Sequence, residues 1–171
     1  MERHKVFISY HHANDEAYKL RFERLFGLQL GAFISRSVQV GDIDPTISDE
    51  TIRQKIRDEF LRDSTVTIVL IGSETFKRKH VDWEISSTLR NTEFNPRGGL
   101  LGIMLPTYPS YPYYNPETIP PRIADNLQNK YAKLINWTED VYTINAEIHH
   151  AFLRRNTIIP DNSRALFKNN R

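Results

Sequence analysis

The sequence contains no cysteine, which excludes a disulfide framework, a thiolate nucleophile and any zinc–sulfur site. That absence fits a reducing cytosol and leads us to expect a cytoplasmic protein. Long apolar runs are also missing. Nothing approaches the ~20 apolar residues that a membrane-spanning helix needs. The stretch after Met1-Glu2-Arg3-His4 is too short for the core of a secretory signal. There is little excess of either charge. The 23 Lys and Arg against 21 Asp and Glu leave a net +2, too little to mark a nucleic-acid-binding face. The charges interleave, as in Arg53-Gln-Lys55-Ile-Arg57-Asp58-Glu59, which is the pattern of a solvated helix face. Neither Gly-x-Gly-x-x-Gly nor Gly-x-x-x-x-Gly-Lys occurs, so the two common phosphate-cradling loops are excluded.

What is present is an alternation. Five short apolar runs, Val6–Ser9, Ala32–Ser35, Thr65–Ile71, Leu100–Leu105 and Ala132–Ile135, are apolar throughout rather than every second residue. That is the signature of strands covered on both faces. Between them lie helical periodicities. Asp15–Leu28 carries Tyr18, Phe22, Leu25 and Phe26 at spacings of three and four. Ser48 precedes Asp49 and Glu50 as a candidate cap, with Ile52, Ile56 and Phe60 forming the stripe behind it. Val81, Ile85 and Leu89 mark a third helix. Val141, Ile144, Ile148 and Phe152 mark a last one after Thr138.

Alternating strand and helix implies right-handed crossovers and an α/β three-layer sandwich around a central parallel five-stranded sheet. In such sheets ligands gather at the carboxyl ends of the strands. The segments Tyr10–Asp15, Arg36–Asp44, Gly72–Lys79, Pro106–Pro121 and Asn136–Thr138 therefore carry the functional expectation. Pro106–Pro121, rich in proline and tyrosine, is long for an internal connection and is a candidate cover. The polar, basic tail Asn162–Arg171 is expected to fray. The histidine pairs His11-His12 and His149-His150 are adjacent in sequence, so their side chains diverge, and no metal site is expected.

The order of several segments resembles the Toll/interleukin-receptor (TIR) domain, and more closely the TIR-like proteins of bacterial Thoeris antiphage systems. The segments are Lys5-Val-Phe-Ile-Ser-Tyr10 with Asn14-Asp15, Ile52-Arg-Gln-Lys-Ile56, and Ser64-Thr-Val-Thr-Ile-Val-Leu-Ile-Gly72. They continue with His80-Val-Asp-Trp-Glu-Ile85, Pro121-Arg-Ile-Ala-Asp-Asn126 and Ala132-Lys-Leu-Ile-Asn-Trp137. The resemblance implies a flavodoxin-like, TIR-like domain over 1–155 and a C-terminal tail over 156–171. The family's catalytic glutamate opens the helix after the third strand, often as Ser-x-Trp-Cys-x-x-Glu. Here His80 and Val81 take the Trp and Cys positions and Glu84 falls on the glutamate.

The resemblance further implies an enzyme of the NAD glycohydrolase and ADP-ribosyl cyclase type. NAD would be its substrate rather than a cofactor. A cyclic ADP-ribose-type product would act on a separate effector protein in response to a phage-derived trigger, and self-association is possible in such a family. No nucleic-acid or membrane partner is implied. Glu84 is the catalytic candidate. Ser9, Tyr10 and His11 end the first strand, where an aromatic could stack on a base. Ser35, Arg36 and Ser37 end the second, with Arg36 a candidate phosphate ligand. Asp42 and Asp44 are candidate acceptors for ribose hydroxyls or turn-formers beside Gly41 and Pro45. Trp83 is a candidate platform or a packing residue. Two other functions stay open: simple hydrolysis of NAD to ADP-ribose, and a non-catalytic interaction module in which Glu84 is dispensable. A phosphoryl-accepting receiver domain fits poorly, because the third strand ends in Ile71-Gly72-Ser73 without an aspartate.

Overall fold

The computed structural model describes residues 2–30, 33–34 and 38–171. Four strands of four to six residues form the sheet: β1 (Val6–Ser9), β3 (Val66–Ile71), β4 (Gly99–Met104) and β5 (Ala132–Asn136). A two-residue strand, β2 (Phe33–Ile34), pairs with β1 at the edge. All pairings are parallel and the order is β2-β1-β3-β4-β5. The four longer strands begin and end within a residue of the apolar runs. The run expected at Ala32–Ser35 falls largely outside the described residues, and only Phe33 and Ile34 are seen to pair.

Both faces of the sheet are covered, which is why its strands read as continuous apolar runs. On one face Val66, Ile68 and Leu70 of β3 pack with Phe22 and Phe26 of α1 (His12–Leu30) and with Ile144, Ile148 and Ala151 of α5 (Val141–Thr157). On the other, Val69 and Ile71 meet Val81, Ile85 and Leu89 of α3 (Lys79–Leu89) and Ile123 of α4 (Pro121–Gln128). The α2 helix (Asp49–Glu59) completes that layer by packing Ile52 and Ile56 with Phe7 of β1 and Trp83 of α3. Gly99 has no alternative to glycine, since a β-carbon there would collide with the Ala151 carbonyl of α5. None of the described helices is long and apolar enough to cross a membrane.

Side-chain caps mark the starts of α2 and α5. Ser48 accepts the Thr51 amide at 3.2 Å, and Asp140 accepts the Thr143 amide at 2.9 Å. The α4 helix was not expected from periodicity. It spans eight residues and opens on Pro121, and proline at a first helical position is compatible with helix because no amide is needed there. The α1 helix starts three residues before the expected Asp15, at His12. That brings its amino end up to the mouth of the sheet.

Two expectations about the C-terminal half are corrected. Pro106–Pro121 does not cover a site: it folds on itself around Tyr108, which is 2% exposed and whose hydroxyl meets Thr118 Oγ1 at 2.6 Å and the Asn115 amide at 3.0 Å. The tail Asn162–Arg171 does not fray. Leu166 and Phe167 are buried, and a fully buried arginine, Arg122, donates to the carbonyls of Arg164 and Ala165 at 2.8 and 3.2 Å. Arg122 in turn pairs with buried Asp82 at 3.0 Å, whose other oxygen accepts the Phe167 amide at 2.9 Å. Trp83 donates its indole N–H to the Phe167 carbonyl at 2.8 Å. The polar composition suggested fraying because only two apolar side chains anchor the tail. The backbone of the segment is held by α3 and α4 instead.

Replacing Arg122 with methionine leaves the buried Asp82 carboxylate without its cation. A loss of about 3–5 kcal/mol of stability is expected on chemical denaturation, and adding Asp82→Asn is expected to restore part of it.

Candidate functional site

β1 and β3 are neighbours in the sheet, so the chain segments leaving their carboxyl ends emerge side by side. From β1 the chain passes through Tyr10 and His11 directly into α1. From β3 it passes through Gly72 and a short 3-10 turn, Thr75–Lys77, into α3. Two helix amino ends therefore stand next to each other above the sheet. Gly72 permits this approach, because a β-carbon there would lie 2.5 Å from both carboxylate oxygens of Asp15, which is buried in the first turn of α1. Burial pushes the Asp15 carboxyl up to about 6, against a weak opposing bond from Thr75.

Between these elements lies a cavity of about 280 Å³. Tyr10, His11, His12 and Ala13 form one wall, and Arg78, His80 and Val81 form the other. Val38, Gln39 and Val40 close a third side, and Asn170 of the C-terminal segment closes the last. The Tyr10 and His12 rings stack with centroids 4.4 Å apart. Burial, together with the positive charges of Lys79 and Arg78, holds His80 down to about 4, so its imidazole is neutral at physiological pH. His11 and His12 are also lowered, mainly by burial.

Glu84 sits one turn further along α3 than His80 and Val81, and is only 1% exposed. Its Oε2 accepts a very short hydrogen bond from the Ser9 hydroxyl. Its Oε1 accepts the Val38 amide at 2.8 Å. The carboxyl thus ties the end of β1, the middle of α3 and the segment after β2 into one unit, next to the cavity rather than in its lining. Burial is the dominant influence and raises its pKa to about 8, while the two hydrogen bonds favour the charged form and limit the rise.

The other sequence candidates divide cleanly. Ser9, Tyr10 and His11 gather at Glu84 and the cavity. Ser35, Arg36 and Ser37 lie outside the described residues. Asp42 and Asp44 are exposed and bond locally. Asp42 accepts the Gln39 amide at 3.0 Å, and Asp44 accepts the Thr46 amide and hydroxyl at 2.8 and 2.7 Å. Neither lines the cavity, and both behave as turn-formers. Trp83 is packed in the core against α2 and the C-terminal segment.

Sequence reasoning missed Arg78, His12, Gln39 and Asn170. Arg78 lay within a strand-end segment already singled out, whereas nothing in the sequence tied Asn170 to this cavity. At the far end of the sheet, His149 pairs not with His150 but with His4, through a 3.1 Å contact between ring nitrogens. Glu2, His4 and His149 are the one group of potential metal ligands among the described residues with donor atoms within 4.8 Å of one another.

The family model described as "Thoeris protein ThsB, TIR-like domain" matches residues 7–110. The chain belongs to this TIR-like family. The matched span carries Ser9, Glu84 and every cavity-lining residue except Asn170, so the ThsB-type TIR-like module of Thoeris antiphage defence contains nearly the whole site. A search of curated proteins finds no match.

Because the folded Glu84 carboxyl titrates higher than an unfolded one, its contribution favours the fold at low pH and is lost as pH rises through about 8. Glu84→Gln removes that penalty. It is therefore expected to raise the melting temperature by several degrees at pH 8 and by much less at pH 5, as read by thermal denaturation across that range.

Proposed function

We propose that this protein cleaves the nicotinamide–ribose bond of NAD and releases a cyclic ADP-ribose-type nucleotide, which activates a separate effector in antiphage defence. The observation that carries this reading is a buried carboxyl, Glu84, held by Ser9 and the Val38 amide beside a cavity at the carboxyl end of a parallel sheet.

One carboxylate suits this reaction. The leaving group is a cationic pyridinium that departs as neutral nicotinamide, so no general acid is required. Positive charge develops instead on the ribose, as in glycoside hydrolysis. A fixed carboxylate next to the ribose stabilises that charge more in the transition state than in the ground state. Glu84 rests largely protonated at neutral pH, since burial raises it to about 8. A bound pyridinium ring brings a positive charge that favours the ionised carboxylate, so the substrate itself switches the group on. A ribose hydroxyl would take over one of the positions now filled by Ser9 Oγ and the Val38 amide.

The fate of the ribosyl cation depends on which nucleophile reaches it. Water gives ADP-ribose, and a nucleophile of the same dinucleotide gives a cyclic isomer. Tyr10, Val38, Val40 and Val81 make the apolar part of the cavity lining, and excluding water there favours ring closure.

Purified protein is incubated with NAD, alone and in lysate of phage-infected cells, beside Glu84→Gln. The expected result is nicotinamide release that falls by about a hundredfold or more in the variant. A cyclic co-product separates ring closure from simple hydrolysis. The rate is expected to rise with pH through a midpoint above the ordinary carboxylate value of 4.5 and below about 8, the upper limit being lowered by the substrate's cation. Absence of nicotinamide release from the wild-type protein in both samples would favour the interaction module.

A further inference from the structure

We propose that the cavity beside Glu84 is a pyrophosphate subsite, in which the Arg78 guanidinium and the joined amino ends of α1 and α3 hold the two phosphates of a dinucleotide. This rests on the NAD reading above for the identity of the dinucleotide. The anion chemistry stands on its own observations.

The first is the convergence of two helix starts. Each helix amino end carries partial positive charge and amides without intrahelical partners, and the two long helices here, α1 with 19 residues and α3 with 11, open onto the same cavity. In α3 the accounting can be done residue by residue. The Arg78 side chain makes no capping bond. The Lys79 amide is satisfied by Asn170 Oδ1 at 3.0 Å, and the Asp82 amide by the Arg78 carbonyl at 3.1 Å. The two amides between them belong to His80 and Val81, both cavity-lining residues. They are the first-turn donors left for a ligand.

The second observation is Arg78 itself. Among the described residues its half-buried guanidinium makes no ion pair and no side-chain hydrogen bond. The more deeply placed arginines are all engaged: Arg122 with Asp82, Arg57 with the Ser64 hydroxyl and backbone carbonyls, and Arg53 with Ser86. An arginine left open on a cavity wall is suited to a phosphate, which it can bind through two parallel N–H bonds.

The third is His11. It is 6% exposed, it lines the cavity, and its Nδ1 is buried with no hydrogen-bond partner. The chemistry of the wall agrees, because no aspartate or glutamate is among the lining residues. The volume, about 280 Å³, is just below the roughly 300–1,000 Å³ of pockets that enclose a whole drug-sized ligand. It therefore takes part of a dinucleotide rather than all of it. With the phosphates seated here, one ribose is directed toward Ser9 and Glu84. A phosphate role is thus assigned to Arg78.

The test uses binding first and turnover second. Inorganic pyrophosphate and ADP-ribose are titrated into the full-length protein at low ionic strength by calorimetry, beside Arg78→Ala, Arg78→Lys and Glu84→Gln, with melting temperatures taken for each. Saturable binding of both probes is expected, weakened tenfold or more in Arg78→Ala, partly recovered in Arg78→Lys and retained in Glu84→Gln. In NAD turnover Arg78→Ala is expected to raise KM at least tenfold while kcat changes only a few-fold. No binding by the wild type at millimolar probe, or equal binding by a folded Arg78→Ala, overturns the subsite. Probe binding through Arg78 without any NAD cleavage upholds the subsite and removes the NAD reading. NAD cleavage that is indifferent to Arg78 does the reverse.

Discussion

A carboxyl group taken out of water must either be neutral or be paired, and among the described residues Glu84 has no cation against it. It is held instead by one hydroxyl and one backbone amide, from Ser9 and Val38. Those two partners belong to different parts of the chain, so the burial of one side chain fixes the relative positions of the β1 end, the middle of α3 and the segment after β2. The same lack of a counter-charge makes the group responsive. Burial raises its pKa to about 8, and in the proposed reaction a cationic ligand would favour the ionised form. A site built this way costs stability above neutral pH and gives in return a carboxylate that ionises when a cation arrives.

The rest of the molecule supports that arrangement from two directions. Gly72 lets α1 and α3 start side by side by leaving room for the Asp15 carboxyl. From the other side, the C-terminal segment crosses α3 along its length. The backbone at Phe167 engages Asp82 and Trp83, Asn170 meets the Lys79 amide, and the Arg171 amide reaches the Lys77 carbonyl. The helix that carries Glu84 is thus held along its outer side by residues that lie beyond the family match, which ends at 110. The proposed chemistry belongs to the family module, while part of its support comes from the remainder of the chain.

Much of the fold was legible because a parallel sheet buried on both faces leaves an unmistakable trace. Thr65–Ile71 is β-branched and nearly continuous in apolar residues, and β3 falls on it almost residue for residue. The helix capped by Ser48 was legible for a similar reason, since cap, acidic first turn and apolar stripe all agreed. What stayed hidden depends on contacts between residues far apart in sequence. The α4 helix has only eight residues and follows a proline-rich loop, so its periodicity is too brief to register. The tail looks disordered by composition and becomes ordered through the partners Asp82 and Arg122. The position of Glu84 was legible but its environment was not: its neighbour Trp83 bonds to the C-terminal segment, while Glu84 itself meets Ser9.

The decisive measurement is a carbon-detected NMR titration of the Glu84 carboxyl, assigned by its loss in Glu84→Gln, in the free protein and with a simple pyridinium cation such as N-methylnicotinamide added. A midpoint near 8 in the free protein is expected, falling when the cation binds. A midpoint at the ordinary 4.5, unmoved by the cation, would mean that the carboxyl is neither buried nor coupled to the cavity and would contradict the role assigned to it.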